Sequence, residues 1–200
     1  MTTDQIFAYF QNTKNRDTRD DLVFAVSKMK HASVAIDCGC GAGSDILYLR
    51  KQGFTVYAFD IESQAISICE ERFGVDDKVI LTKDSFTSFN YPSASLINAD
   101  ASLFFCRQED FDNVWANISG ALVQNGIFCG SFLGPEDSMA SGDINKGAYW
   151  PDVLVFQEHA LKALFDGFNI LKFTEHRVSG KLSNGSPTFW HIYSVVAQRI

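Results

Sequence analysis

Val34-Ala35-Ile36-Asp37-Cys38-Gly39-Cys40-Gly41-Ala42-Gly43-Ser44-Asp45 joins a short apolar run to three alternating glycines and then to an apolar-periodic stretch. The run reads as a buried strand over 33–38, and the stretch over 44–52 as a helix stopped by Gly53. A strand that turns through glycines into a helix is the first unit of an open α/β sheet. Ligands of such sheets sit at the carboxyl ends of the strands, where strand order reverses. Glycine there lets backbone approach a ligand with no Cβ in the way.

The same alternation continues along the chain. Residues 54–59, 78–82, 95–99, 127–133, 169–177 and 189–198 read as further strands. Helices are expected over 62–73, 111–124 and 157–166, the middle one ended by Asn125-Gly126. Two earlier helices, 4–11 and 21–29, precede the first strand as an N-terminal cap over 1–31. The Gly-, Ser-, Asp- and Asn-rich segment over 136–151 reads as a loop or lid, with Tyr149 and Trp150 as candidate acceptor contacts. The pattern specifies a single α/β domain over 1–200, with helices on both faces of the sheet. Its last two strands, joined by a polar turn, add one antiparallel strand to an otherwise parallel sheet.

The glycine spacing separates ligand classes. A dinucleotide loop needs G-x-G-x-x-G, whereas here Gly39, Gly41 and Gly43 alternate and Ser44 takes the third dinucleotide position. Asp37, just before the glycines, would repel a pyrophosphate but suits an ammonium group. Asp60 ends the second strand, where a carboxylate can accept hydrogen bonds from ribose hydroxyls. Asp84, with Ser85 and Phe86, follows the third strand and offers a carboxylate and a ring to an adenine edge. Purely structural glycines remain the alternative.

At these residues the chain resembles the class I S-adenosylmethionine-dependent methyltransferases, whose first turn carries an acidic residue followed by G-x-G-x-G. The resemblance runs from about Leu22 onward. It implies a Rossmann-like seven-stranded, mostly parallel sheet with an antiparallel last strand. It also implies S-adenosylmethionine as cofactor and S-adenosylhomocysteine as product. Asp37, Gly39, Cys40, Gly41 and Gly43 would run beneath the methionine part, Asp60 and Ile61 would meet the ribose, and Asp84, Ser85 and Phe86 the adenine. Within the class, the pattern is similar to the small-molecule and tellurite-resistance-type branch. The N-terminal cap, Trp115, Phe132-Leu133-Gly134 and Trp190-His191-Ile192-Tyr193 carry that narrower likeness.

Methyl transfer from a sulfonium asks mainly for in-line positioning of the acceptor, which can contribute ~7–11 kcal/mol. The site therefore needs no conspicuous catalytic residue. The fourth strand ends in Asn98-Ala99-Asp100-Ala101-Ser102-Leu103-Phe104-Phe105, which lacks the Asn/Asp-Pro-Pro-aromatic motif of adenine N-methylases and the Pro-Cys of cytosine C5-methylases. Asp100, a cofactor contact as well, and Ser102 are placed to orient an acceptor, or else Ser102 caps the turn and Asp100 is solvated. Phe104 and Phe105 line an aromatic pocket or pack in the core. His191 is the candidate general base, against the alternative of a hydrogen-bonded histidine on a sheet face. His31, His159 and His176 read as surface or helix-end residues. Arg16 and Arg19 suit the cofactor's carboxylate, or simply a solvated loop.

Bulk properties narrow the partners. The net charge of −7 across 200 residues speaks against a nucleic-acid footprint, which needs a basic face. The 18 Phe predict an aromatic core. Cys38, Cys40, Cys69, Cys106 and Cys129 fit no disulfide framework and no metal-site spacing, so no metal is expected and the thiols read as reduced, in a cytoplasmic protein. Met1-Thr2-Thr3-Asp4 lacks the features of a signal peptide, and no apolar run spans a bilayer. The expected partner is a small-molecule methyl acceptor, and the expected state a monomer or modest homodimer. Two alternatives share the scaffold. One is an aminopropyltransferase-like relative that binds the cofactor without methyl transfer, although the paired acids of that type are missing beyond strand four. The other is a non-catalytic interaction protein, against which the intact Asp37, Gly39, Gly41, Gly43 and Asp60 argue.

Overall fold

The computed structural model describes residues 3–140, 153–181, 185 and 187–200. Seven strands form one sheet: β1 (Val34–Cys38), β2 (Thr55–Asp60), β3 (Val79–Lys83), β4 (Ala94–Ala99), β5 (Leu122–Leu133), β6 (Phe168–Lys181) and β7 (Pro187–Arg199). Six α-helices accompany them: α1 (Thr3–Thr13), α2 (Asp20–Ser27), α3 (Ser44–Lys51), α4 (Ser63–Phe73), α5 (Phe111–Ala121) and α6 (Glu158–Leu164). The strand order is β3-β2-β1-β4-β5-β7-β6. The first five strands pair in parallel, and β7 runs antiparallel to both β5 and β6. The expected antiparallel last strand is thus present, inserted between β5 and β6 rather than added at the edge.

Alternation along each strand builds two core layers, one on each face. Ile36, Ile97, Phe128 and Phe132 point to the layer that holds α5 and α6. Ala35, Leu96, Ile127 and Cys129 point to the layer of α2, α3 and α4. The phenylalanines concentrate in the first layer. Trp115 of α5 meets Phe128, Phe165 and Phe168 with ring centroids 5.2, 5.1 and 6.1 Å away, so the aromatic excess is mostly core.

Helix ends follow local chemistry. Gly43 (φ +78°) starts α3 and Gly53 (φ +92°) follows its end, both in the left-handed region that glycine tolerates best. One boundary departs from the sequence expectation. Helix α5 stops at Ala121, and residues 122–124, expected to be helical, begin β5, with Leu122 in register with Ala94. A strand partner and a buried Leu122 outweigh the helical periodicity there.

Candidate functional site

The sheet reverses direction of growth at β1, which has β2 on one side and β4 on the other. The crevice at the carboxyl ends of β1 and β4 is where such sheets bind ligands. The glycine loop fills its lip. Gly39, Gly41 and Gly43 all have positive φ, +72°, +52° and +78°. The N–H groups of Gly39 and Cys40 both donate to the Phe59 carbonyl, at 2.9 and 3.0 Å. Each glycine is held for a different reason. A Cβ on Gly39 would come within 2.6 Å of Ser102 Cβ, and one on Gly43 within 2.7 Å of the Phe73 ring, whereas one on Gly41 would meet only Phe10, at 3.8 Å. Gly41 is therefore the position left open.

Asp60 ends β2 beside this loop. Its Oδ2 accepts the Gly41 N–H and its Oδ1 the Glu62 N–H, both at 2.9 Å. Each oxygen retains a further lone pair for a ligand hydroxyl. Burial raises the Asp60 carboxyl above its ordinary pKa, against the hydrogen bonds from Glu62 and Gly41 that lower it.

A buried acidic floor lies behind the loop. Asp37 and Asn98 face each other in register on β1 and β4, and the Asn98 amide donates to Asp37 Oδ1 at 2.8 Å and to Asp45 Oδ2 at 3.4 Å. Arg16 donates to Ser44 Oγ (3.0 Å) and Asp45 Oδ2 (2.7 Å) and lies 3.6 Å from Asp100, which also pairs with Arg19. The two arginines hold the crevice acids, Arg19 with its side chain half exposed. Burial, followed by the charge of Asp45, pushes Asp37 up to about 8. Burial also raises Asp45, against the pull of Arg16. Asp37 Oδ2, Asp45 Oδ1 and Asn98 Oδ1 are buried yet accept no hydrogen bond from the described residues. Bare buried acceptors of this kind are costly unless a ligand donor completes them. They fit an ammonium group, so the residues present suit the amino-acid end of S-adenosylmethionine.

The other expected contacts divide between the crevice and the interior. Ile61 is half exposed beside Asp60. The Asp84 N–H donates to the Asp60 carbonyl at 3.2 Å, which brings the two acids together. Asp84 Oδ1 accepts the Ser88 hydroxyl at 2.8 Å, Ser85 Oγ lies 2.9 Å from Thr87 Oγ1, and Phe86 stands edge-on to Phe59 at 5.4 Å. Cys40 is buried in the core layer that also holds Cys69 of α4. Ser102 donates to the Cys38 carbonyl at 2.6 Å, which ties the end of β4 to the glycine loop. Phe104 is core, with Phe105 packed against that core. Tyr149, Trp150 and most of the expected lid lie outside the described residues. His31 and His159 are exposed, and His176 Nε2 lies 3.1 Å from Ser194 Oγ. Among the described residues no group of three metal-ligating side chains occurs.

His191, the expected base, is 1% exposed on β7. Its Nδ1 accepts the Glu136 N–H at 3.2 Å, so the proton sits on Nε2, which lies 2.9 Å from Glu175 Oε1. Both ring nitrogens are engaged, which is the arrangement of a hydrogen-bonded histidine on a sheet face. The ring instead clamps the chain after β5, and a Cβ on Gly134 would strike it at 2.5 Å. His191→Phe keeps an aromatic ring, somewhat larger, and strands both partners. It is expected to cost about 1–3 kcal/mol, read as a fall in thermal midpoint.

Sequence reasoning missed Asn98 and Asp45. Asn98 carries no motif. Asp45, in the first turn of α3, signals itself only as an acid at a helix N-terminus.

Residues 35–126 match a family model described as "Methyltransferase domain". No curated protein matches the chain in sequence. Solved structures with the same fold include TehB from Haemophilus influenzae, with 17% identity and a TM-score of 0.76 over 98% of this chain and 67% of that one. Another is the 1,6-didemethyltoxoflavin-N1-methyltransferase of Burkholderia thailandensis, solved with 1,6-didemethyltoxoflavin and S-adenosylhomocysteine (16%, TM-score 0.66, 97% and 87% covered). A third is the magnesium protoporphyrin IX methyltransferase of Synechocystis PCC 6803, solved with bound SAM (14%, TM-score 0.64, 96% and 80% covered). Residues 35–126, which hold the glycine loop, Asp60, Asp84 and Asn98, match a methyltransferase domain, and the seven-stranded sheet around them is the fold of these solved S-adenosylmethionine-dependent methyltransferases.

Proposed function

We propose that the chain transfers the methyl group of S-adenosylmethionine to a small-molecule acceptor, in line, and releases S-adenosylhomocysteine. The observation that carries this reading is Asp60, clamped between the Gly41 and Glu62 N–H groups next to the bare acceptors of Asp37, Asp45 and Asn98. The bound donor supplies an already activated methyl. The chain supplies position. Asp37, Asn98 and Asp45 receive the ammonium, Asp60 the ribose hydroxyls beside Ile61, and Asp84, Ser85 and Phe86 the adenine edge. Gly39, Cys40, Gly41 and Gly43 form the wall beneath the methionine chain. Asp100, fixed by Arg16 and Arg19, is the acid at the acceptor end of β4.

A small acceptor is supported by the structural neighbours, one of them solved with bound 1,6-didemethyltoxoflavin. The net charge of −7 disfavours nucleic acid as acceptor. No helix among the described residues is long and apolar enough to cross a membrane, and the five cysteines are free thiols. The free thiols favour a reducing compartment such as the cytoplasm, and the reading is completed by a single domain acting as a monomer or modest homodimer with no membrane partner.

The test is calorimetric titration of S-adenosylhomocysteine into wild type and Asp60→Ala. The variant loses a charge-assisted acceptor for two ligand hydroxyls, so affinity is expected to fall by ~100-fold. Folded, ligand-free wild type that binds no S-adenosylhomocysteine would overturn the assignment.

A further inference from the structure

We propose that Cys40 and Cys69 form a redox-sensitive thiol pair, and that a disulfide between them pulls the glycine loop out of its ligand-binding shape. Cys40 lies between Gly39 and Gly41, and Cys69 lies on α4, 28 residues from Gly41. Both sulfurs point at one atom, the Gly41 carbonyl oxygen, at 3.9 Å for Cys40 and 3.4 Å for Cys69. Both side chains belong to the same core layer. Cys38, two residues earlier, packs into the opposite core layer, so the adjacent thiol on the chain does not compete.

The loop and the helix differ in stiffness. Cys40 sits between two left-handed glycines on a turn, whereas Cys69 is fully buried within α4. Sulfurs that share one carbonyl neighbour must close to about 2.05 Å to bond, and the loop is the part that can make the movement. That movement draws Gly41 N–H from Asp60 Oδ2 and Cys40 N–H from the Phe59 carbonyl, the bonds that shape the crevice lip.

A peroxide supplies the oxidising equivalents. The Cys40 sulfur loses its proton and attacks the O–O bond, which gives a sulfenic acid and one water. The Cys69 sulfur then displaces the hydroxyl, loses its proton and yields the disulfide and a second water. Cys40 is the entry point, because it is 8% exposed and Cys69 not at all. Its hydrogen bond with Cys69, and then burial, hold its thiol well above the usual range, so the reaction is slow.

The effect on ligand rests on the proposed function, but the disulfide itself does not. The reduced 200-residue chain is treated with hydrogen peroxide, mapped by peptide mass, and titrated with S-adenosylhomocysteine before oxidation, after it, and after dithiothreitol. The expected results are a Cys40–Cys69 linked peptide, affinity at least ~10-fold weaker, and full recovery on reduction. Cys69→Ser should bind like reduced wild type and lose nothing to peroxide. Cys40 and Cys69 that both remain alkylatable after peroxide, a disulfide that leaves affinity unchanged, or an equal loss in Cys69→Ser would each overturn the proposal. Reduced wild type that binds no ligand would instead count against the functional assignment, and the linked peptide would still decide the pairing.

Discussion

Gly39→Ala is expected to lower the thermal midpoint by about 5–15 °C and to abolish S-adenosylhomocysteine binding. Two costs combine. At φ +72° an L-residue pays about 1–2 kcal/mol. The new Cβ also falls 2.6 Å from Ser102 Cβ, and Ser102 cannot retreat without breaking its bond to the Cys38 carbonyl, an overpacking cost of about 1–3 kcal/mol. The loop would move, and the crevice with it. Gly41→Ala is the internal comparison, because its Cβ meets only Phe10 at 3.8 Å. It should lose only about 1 kcal/mol of stability while affinity still falls at least ~10-fold. A calorimetric scan and a titration on each variant check both halves. Equal stability losses in the two would mean that the Ser102 contact does not constrain the loop.

Asp37→Asn should do the opposite to the fold: stabilise it above neutral pH and weaken the ligand. Asp37 is 3% exposed and its carboxyl is held up to about 8, from an ordinary 3.8, by burial and by Asp45. Between those values the folded chain keeps a proton that the unfolded chain has released, so this group's contribution to stability declines as pH rises from about 4 to about 8. The amide of the variant has no such proton to lose. The two proteins should melt alike near pH 4 and diverge upward, with the variant about 5–10 °C ahead by pH 8 to 9. A ligand ammonium favours ionised Asp37, so binding to wild type below pH 8 should release a proton, seen as an enthalpy that varies with the buffer. The variant should show no such release from this position and bind at least ~10-fold more weakly. A variant that melts below wild type at pH 8 would refute the buried-acid account. A gain in stability with a loss of binding is the mark of a residue held for function.

How much of this was legible before folding differs from residue to residue. Asp37, Gly39, Gly41, Gly43 and Asp60 could be picked out because each sits at a strand end or in the turn after it, and these are written locally, by periodicity over five to six residues and the glycines that stop it. Asp84 was readable for the same reason. His191 was not: an alternating strand shows which residues share a face but not what covers that face, and Glu175 and the Glu136 N–H come from other segments. Arg16 and Arg19 read as a polar loop because their partners Asp45 and Asp100 lie far along the chain.

The sequence by itself determined the alternation of strands and helices, the seven strands, the glycine turn and the acid at the end of β2. These depend on neighbours within a few residues, through backbone freedom and the two side-chain periods. Only the tertiary structure decided that β7 enters between β5 and β6, that α5 yields residues 122–124 to a strand, that Asn98 comes into register with Asp37, and that Cys40 meets Cys69. Each of these is a pairing across tens of residues, fixed by which packed arrangement buries the most apolar surface while leaving buried polar groups partnered, and no local pattern encodes that choice.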